Sequence, residues 1–551
     1  VTTPEKPDIF GWLGLRRVID PSKARWLGPV LPVVMIVLFV MAVAVVGAVL
    51  AHALVGLRYD APRIGFGTGG IAVAVIGAPF VIWRAIVAQK TVDVTEQGHI
   101  TDRINKAVEG LGAEKEINWI GQSFNICHGA VNGSEAYSRT VIRRQGETVS
   151  LDNHETPERE GEWQVFTETQ PNLEVRIGAI YALERIAQDS ARDHVQIMEI
   201  LCAYIRQNAP APAEDDWPVL EMRESEDNGP LEPDWKDRLR KFKEAQNTAK
   251  AGLKPREDIQ VALTVIGRRS AEQRQIEAGP GRGEQGVFPF DISCPEYDMS
   301  GEDHDPETLS TYLDNLENWS VGLKSYDGYR LDLRNIDLRG TDVSRLNLAG
   351  ARMDGAFLHG ANLREAELQG ANLLKARLPG ARLSKARLQG AFLAGSWLQG
   401  AFFHETQLQV TNLFAALSQE AFFVDARLDR AELTGARLQG AYFKLAQLQG
   451  AKLEAARLQG VGFWGAHISA TTDLSDATLN GAALGCLDLS DIPQIADHVA
   501  GMFGDGSVVL PKECNRPAHW PQERLPLPRF TKAWSKWQAE SEGDTPPDDA
   551  G

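Results

Sequence analysis

ANLREAELQGANLLKARLPGARLSKARLQG, residues 361–390, repeats itself every five residues. Each unit has a leucine at its centre (Leu363, Leu368, Leu373, Leu378, Leu383, Leu388) and an alanine two places earlier. Outward from this stretch the register holds from Leu333 to Ile468, with Ser418 the one centre that is not apolar. It then slips by one residue and continues through Leu474, Leu479, Leu484 and Leu489. A period of five fits neither the 3.6-residue turn of a helix nor the two-residue alternation of a strand. It fits a chain that turns a corner in every unit, so that four units close a square coil. Coils stacked at the strand spacing of about 4.8 Å give a rod ~40 Å long.

In such a rod, residues 20 apart lie one above another. Phe403, Phe423, Phe443 and Phe463 obey that spacing at core centres and predict a stacked ladder inside one face. The residues just before three of them, Phe402, Phe422 and Tyr442, point outward on the same face, and Trp397 and Phe392 point outward on adjacent faces. Stacked outward aromatics mark a contact surface. Its occupant is a partner protein, a second copy, or the chain's own tail with Trp520, Phe530, Trp534 and Trp537. Gln369, Gln389, Gln399, Gln409, Gln439, Gln449 and Gln459 recur on alternate faces, as side-chain amide ladders at turns would.

The units A-N-L-R-E, A-E-L-Q-G, A-N-L-L-K and A-R-L-Q-G resemble the pentapeptide-repeat family. That resemblance implies a right-handed quadrilateral β-helix over 331–490. More loosely, three features resemble a bacterial membrane-anchored subgroup of the family: a two-span hairpin, the segment YALERIAQDSARDH (181–194) and the tail FGDGSVVLPKECNRPAHWP (503–521). The resemblance covers under a third of the chain.

The hairpin is read from hydropathy. Residues 28–57 and 64–83 are uncharged, and about 20 apolar residues suffice to cross a bilayer. Lys6, Arg16, Arg17, Lys23 and Arg25 precede the first run, the short loop between the runs holds Arg58 and Arg63, and Arg84 and Lys90 follow the second. The positive-inside rule then puts both termini in the cytoplasm of a bacterium, with the protein in its inner membrane. Arg16-Arg17 and Ala51-His52-Ala53 look like parts of an export signal, but the apolar run is too long and a second follows at once.

The expected organisation is multidomain. It comprises a cytoplasmic segment (1–27), the two spans, an α-rich membrane-proximal region (84–208), an acidic Pro-containing linker (209–257), a helix and approach to the repeats (258–330), the β-helix (331–490), and a C-terminal cap with acidic tail (491–551). Within the membrane-proximal region, 94–112 reads as an amphipathic helix and 118–172 as a polar β-rich insertion. Beyond that insertion, 173–190 and 194–207 read as two helices forming a HEAT-like pair.

Composition limits the function. The net charge of −17 argues against nucleic-acid binding. Within 331–490, Lys and Arg match Asp and Glu almost one for one, which disfavours the DNA mimicry of topoisomerase-binding soluble relatives. Cys127, Cys202, Cys294, Cys486 and Cys514 form no C-x-x-C pair and fit buried free thiols rather than a zinc site or disulfide framework. Histidines are scattered, and the Gly-rich stretch 279–286 lacks the G-K-[ST] ending of a phosphate loop. Cys127-His128 is the only suggestive pair, and adjacent residues rarely make a catalytic dyad. No enzyme, cofactor, metal or small-molecule substrate is expected. The expected partners are the lipid bilayer and either another protein or a second copy. The leading reading is a membrane-tethered scaffold. The alternative is a membrane-permeabilising effector, for which Gly65, Gly67, Gly69 and Gly70 would allow close helix approach.

Overall fold

A computed structural model of the chain describes residues 97–128, 137–146, 155–220, 234–280, 285–297 and 306–541, with scattered positions elsewhere. The spans expected at 28–57 and 64–83 lie outside the described residues, apart from isolated helical positions such as Ile36, Val40 and Leu54. Among the described residues, no helix is long and apolar enough to cross a membrane. The chain divides into two compact units, 1–106 and 107–551; helix α1 straddles the boundary, and every later element belongs to the second.

Helix α1 (97–111) leads into an antiparallel three-stranded sheet. Its strands are β1 (Glu114–His128), β2 (Tyr137–Arg144) and β3 (Glu155–Pro171), in the order β2-β1-β3. Trp119 and Phe166 stack across it at 4.9 Å. Helices α2 (Leu173–Asp189) and α3 (His194–Asn208) follow; the Asn172 side chain caps α2 by accepting from the Val175 N–H. Their apolar stripes, Ile180, Leu183 and Ile186 on α2 and Ile197, Leu201 and Ile205 on α3, close over α5 (Glu257–Gly267) with its Ile259, Leu263 and Ile266. The HEAT-like pair is therefore a three-helix cluster.

This cluster caps the rod. A parallel β-helix leaves the backbone groups of its first coil without a neighbour, an open edge that must be paired or covered. Asp337 N–H donates to the Ala209 carbonyl (2.8 Å), and Ala211 N–H donates to the Asn335 carbonyl (2.9 Å). On the next two sides, Asp342 N–H donates to Gln260 Oε1 (2.9 Å) and Asn347 N–H to the Gly267 carbonyl (2.7 Å). A buried ionic cluster ties the cap to the rod. Arg269 holds Glu277 at 3.0 Å and donates to the Asn347 carbonyl, while His194 Nε2 lies 2.9 Å from Glu277.

From Asp332 the chain forms parallel bridges between residues 20 apart, such as Asp332↔Arg352, Asp337↔Phe357 and Asp342↔Asn362. Leu and Ala fill the interior, with Phe403, Phe423, Phe443 and Phe463 stacked at 4.7, 4.9 and 5.5 Å. Every fifth residue from Asn335 to Gly465 has positive φ. From Gly340 to Gly460 each is the third residue of a turn closed by an N–H to carbonyl bond, as from Ala351 to Leu348.

At two opposite edges most of these corner residues are glycines, each usually preceded by a buried glutamine, and a strap of chain lies along both edges. Residues 209–257 are thus not one solvated linker. They contain α4 (Trp235–Gly252), whose Lys250 and Gln246 lie over Gly360, Gly380 and Gly400 and whose Lys243 pairs with Glu420 at 3.1 Å. Abundant Lys, Glu and Gln hide its short apolar stripe, in which Trp235, Leu239 and Phe242 close on Leu220 and Met222. Along the opposite edge, Phe290 sits on Gly350 and Gly370, and α7 (Pro306–Lys324) sets Leu323 on Gly390 and Leu313 on Gly450. Between α5 and α7 lies the short α6 (Ala271–Glu277). Beyond the register slip, α8 (Leu527–Ser541) closes the far end, with Trp464, Phe503, Phe530 and Trp537 in one cluster.

These corners yield a test. Gly370→Ala and Gly435→Ala both force a Cβ into positive φ, at about 1–2 kcal/mol. At Gly435 the Cβ would meet nothing within 4 Å, whereas at Gly370 it would overlap the Phe290 ring. The fall in thermal unfolding midpoint should be at least twice as large for Gly370→Ala.

Candidate interaction surface of the repeat rod

The outward residues of the bridges form four rows, one per face. One row runs Asp342, Asn362, Arg382, Phe402, Phe422, Tyr442, Gly462. Phe402 and Phe422 stack with centroids 5.0 Å apart and planes within 3°, and Phe422 and Tyr442 do the same. The 20-residue coil dictates this, because rings at equivalent positions one coil apart can only stack. Phe402 is 40% exposed, Phe422 and Tyr442 are half-buried, and burial pushes the Tyr442 hydroxyl up to about 12.

Among the described residues, the tail covers only the lower end of this row. Trp534 packs within 4 Å of where a Gly462 Cβ would stand and donates through Nε1 to the Gly481 carbonyl (2.9 Å), while Phe530 packs on Ala483 and Phe503. Helix α4 runs along the neighbouring edge as far as Glu420. Among the described residues, the upper aromatic end, at Phe402, lies open beside α4.

Phe392 and Trp397 belong elsewhere. Trp397 lies in the row Phe357, Arg377, Trp397, Leu417, with the Arg377 guanidinium 4.8 Å from its ring centre; Phe392 lies in the row Arg352, Asn372, Phe392, Asn412. The two rows meet at the edge through Lys375, Gly395 and Ala415. There the structure adds two residues that the sequence reading missed, Leu374 (41% exposed) and Phe414 (51%). Both occupy the residue after the core centre, within the turn, a position not counted among the outward rows. Their 40-residue separation, two coils, is the signal that would have revealed them.

The glutamines singled out from sequence are buried at the two strapped edges. On the α7 edge their series 369, 389, 409, 449 is interrupted by Asp429. Burial pushes its carboxyl up to about 6, against the opposing effect of nearby Arg427. Cys202 is fully buried and its thiol is pushed up to about 12; Cys294, Cys486 and Cys514 are half-buried. Cys127 and His128 end β1, and their side chains lie outside the described ones.

Comparison with known proteins matches the repeats. Residues 332–370, 366–404 and 421–460 match the family of pentapeptide repeats, in 8 copies. HetL, a pentapeptide repeat protein involved in heterocyst differentiation regulation from the cyanobacterium Nostoc sp. strain PCC 7120, is 33% identical over 27% of this chain and 75% of its own, with a TM-score of 0.20. QnrB1, a plasmid-mediated fluoroquinolone resistance protein, is 17% identical over 32% of this chain and 92% of its own, with a TM-score of 0.22. A pentapeptide repeat protein from the Arabidopsis thaliana thylakoid lumen is 21% identical over 30% and 78%, at 0.10. Comparison with curated proteins gives no match. Through its repeat region, this chain belongs to the pentapeptide-repeat family.

Asp429 supplies a pH test. Its folded-state pKa is raised, so the native state holds the proton more tightly than the unfolded chain does. The stability this contributes is present in acid and is lost as pH rises through about 6. Asp429→Asn should therefore stabilise the protein by about 1–3 kcal/mol at pH 8 and have little effect below pH ~4, read as unfolding midpoint against pH.

Proposed function

We propose that the chain is a membrane-anchored scaffold whose rod presents a protein-binding strip at the cytoplasmic side of a bacterial inner membrane. The anchoring rests on the two uncharged runs at 28–57 and 64–83 and their cationic flanks. The observation that carries the interaction role is the stacked row Phe402–Phe422–Tyr442. Aromatics held rigidly in place lose little conformational freedom on binding and make effective anchors. The rod behind them is filled with Leu, Ala and Phe, so the strip is preorganised. A rod that gives two edges to its own straps and a face to a partner needs no chemistry. Regulation of heterocyst differentiation and resistance to fluoroquinolones belong to HetL and QnrB1 and are not carried to this chain.

Crosslinking the intact protein in native membranes tests this reading. The triple change of Phe402, Phe422 and Tyr442 to Ser, with folding checked by its unfolding midpoint, should reduce capture of a specific partner at least tenfold. An unchanged captured set would remove the strip from the function. Failure of the protein to sediment with membranes would remove the anchor and leave the strip standing.

A further inference from the structure

The edge through Asn335, Gly355, Lys375, Gly395, Ala415, Gly435 and Ala455 carries no helical strap among the described residues. A Cβ at Gly435 would meet nothing within 4 Å, and one at Gly395 would meet only Lys375. Its middle is apolar. Leu374, Phe392 and Phe414 are exposed, Trp397 and Leu417 are half-buried round the corner, and the small residues Ala394 and Gly395 lie at the centre. An open apolar stretch on successive coils of a soluble rod calls for an occupant.

The order of residues says what the occupant is. Counted outward from Ala394 in both directions, the edge is complementary to its own reverse. One coil away stand Leu374 and Phe414, and also Asn372 and Asn412. Two coils away stand Arg352 and Glu432. Three coils away, Asp332 answers Lys452, and Arg334 answers Glu454. We infer that this edge pairs with the same edge of a second copy, the rods antiparallel and the two-fold axis passing by Ala394. Leu374 then meets the partner's Phe414, Arg352 the partner's Glu432, and Asp332 the partner's Lys452. A two-fold interface requires such self-complementarity.

The charges also select the register. Sliding one coil in one direction sets Asp332 against the partner's Glu432 and Asp354 against the partner's Phe414. Sliding the other way sets Arg352 against the partner's Lys452 and Asp354 against the partner's Glu454. Like charges brought face to face are destabilising, so both neighbouring registers are disfavoured. The rim charges are not buried singly. Within one copy Asp332 pairs with Arg334 at 2.7 Å and Glu432 with Lys452 at 3.1 Å, and pairing joins these into alternating networks. This surface lies on a different edge from the Phe402 strip and depends on neither that strip nor the membrane spans.

The test uses the full chain in membranes. Ala394→Cys places a thiol beside the axis, where it meets its own copy. Ser384→Cys, on the opposite edge and also half-buried, is the control, and the chain without added cysteine sets the background. Mild oxidation should give a disulfide-linked dimer with Ala394→Cys at least fivefold above the control. Adding Arg352→Glu should lower that yield several-fold, and Arg352→Glu with Glu432→Arg should restore it. Within one copy these two positions are four coils, about 19 Å, apart, so restoration can only come from a pair between copies. Sedimentation of the detergent-solubilised chain gives an independent readout: a dimer for the unaltered protein, a monomer for Arg352→Glu. Crosslinking no greater than the control's, or a double variant no better than the single, overturns the proposal.

Discussion

A chain that turns a corner every five residues must place a residue in the left-handed region at each corner, and everything else about this rod depends on which residue stands there. The positive φ is the same from Asn335 to Gly465, but the side chain is free to vary. Where it is absent, another part of the chain can settle directly on the backbone. Gly350, Gly370, Gly390 and Gly450 are seats for Phe290, Leu323 and Leu313. The two exceptions on that edge act differently. Val410 joins the cluster of Tyr297, Tyr312 and Leu316, and Arg430 reaches out to Asp314 and Glu317 of α7. Both help to hold the strap they would otherwise obstruct. Val410 takes this role although a β-branched residue at φ +52° is costly.

The four edges thus divide by chemistry. Two opposite edges are glycine-rich and covered. A third carries ion pairs in line, Arg345 with Glu365 and Lys385 with Glu405. These keep that edge solvated and give a neighbouring molecule little to bind. The fourth is apolar at its middle and charged toward its ends. A rod built from identical backbone units acquires sidedness solely through what is written at every tenth and twentieth residue.

Much of this was legible in the sequence. The five-residue period gives the coil, and counting by twenty gives both phenylalanine ladders, because the geometry of a coil is rigid enough for spacing to stand for contact. The alternation of Gln-Gly with charged corners was equally visible but suggested amide ladders alone. That a glycine edge is a seat follows only once something is found sitting on it. The straps were harder to see. Helix α4 buries little more than Trp235 and Phe242, too few apolar positions to stand out among its lysines and glutamates. The helices of the cap were legible but their docking on the rod was not, since they join it largely through backbone groups at Ala209, Ala211 and Gly267 that no side-chain pattern announces.

The candidate surface divides along the same line. Phe402, Phe422 and Tyr442 share one row because they share one phase of the repeat, and spacing finds them. Phe392 and Trp397 differ by five residues and so lie on neighbouring faces; on the surface they adjoin only because a corner made of Gly395 separates them. Leu374 and Phe414 complete that corner from within the turn, a phase that elsewhere on this edge holds Arg334, Asp354, Ala394, Thr434 and Glu454. A contact surface on a solenoid edge therefore draws on two rows and the turn between them, three phases of one period. It is recognised by reading residues around a corner, which no single phase of the repeat can show.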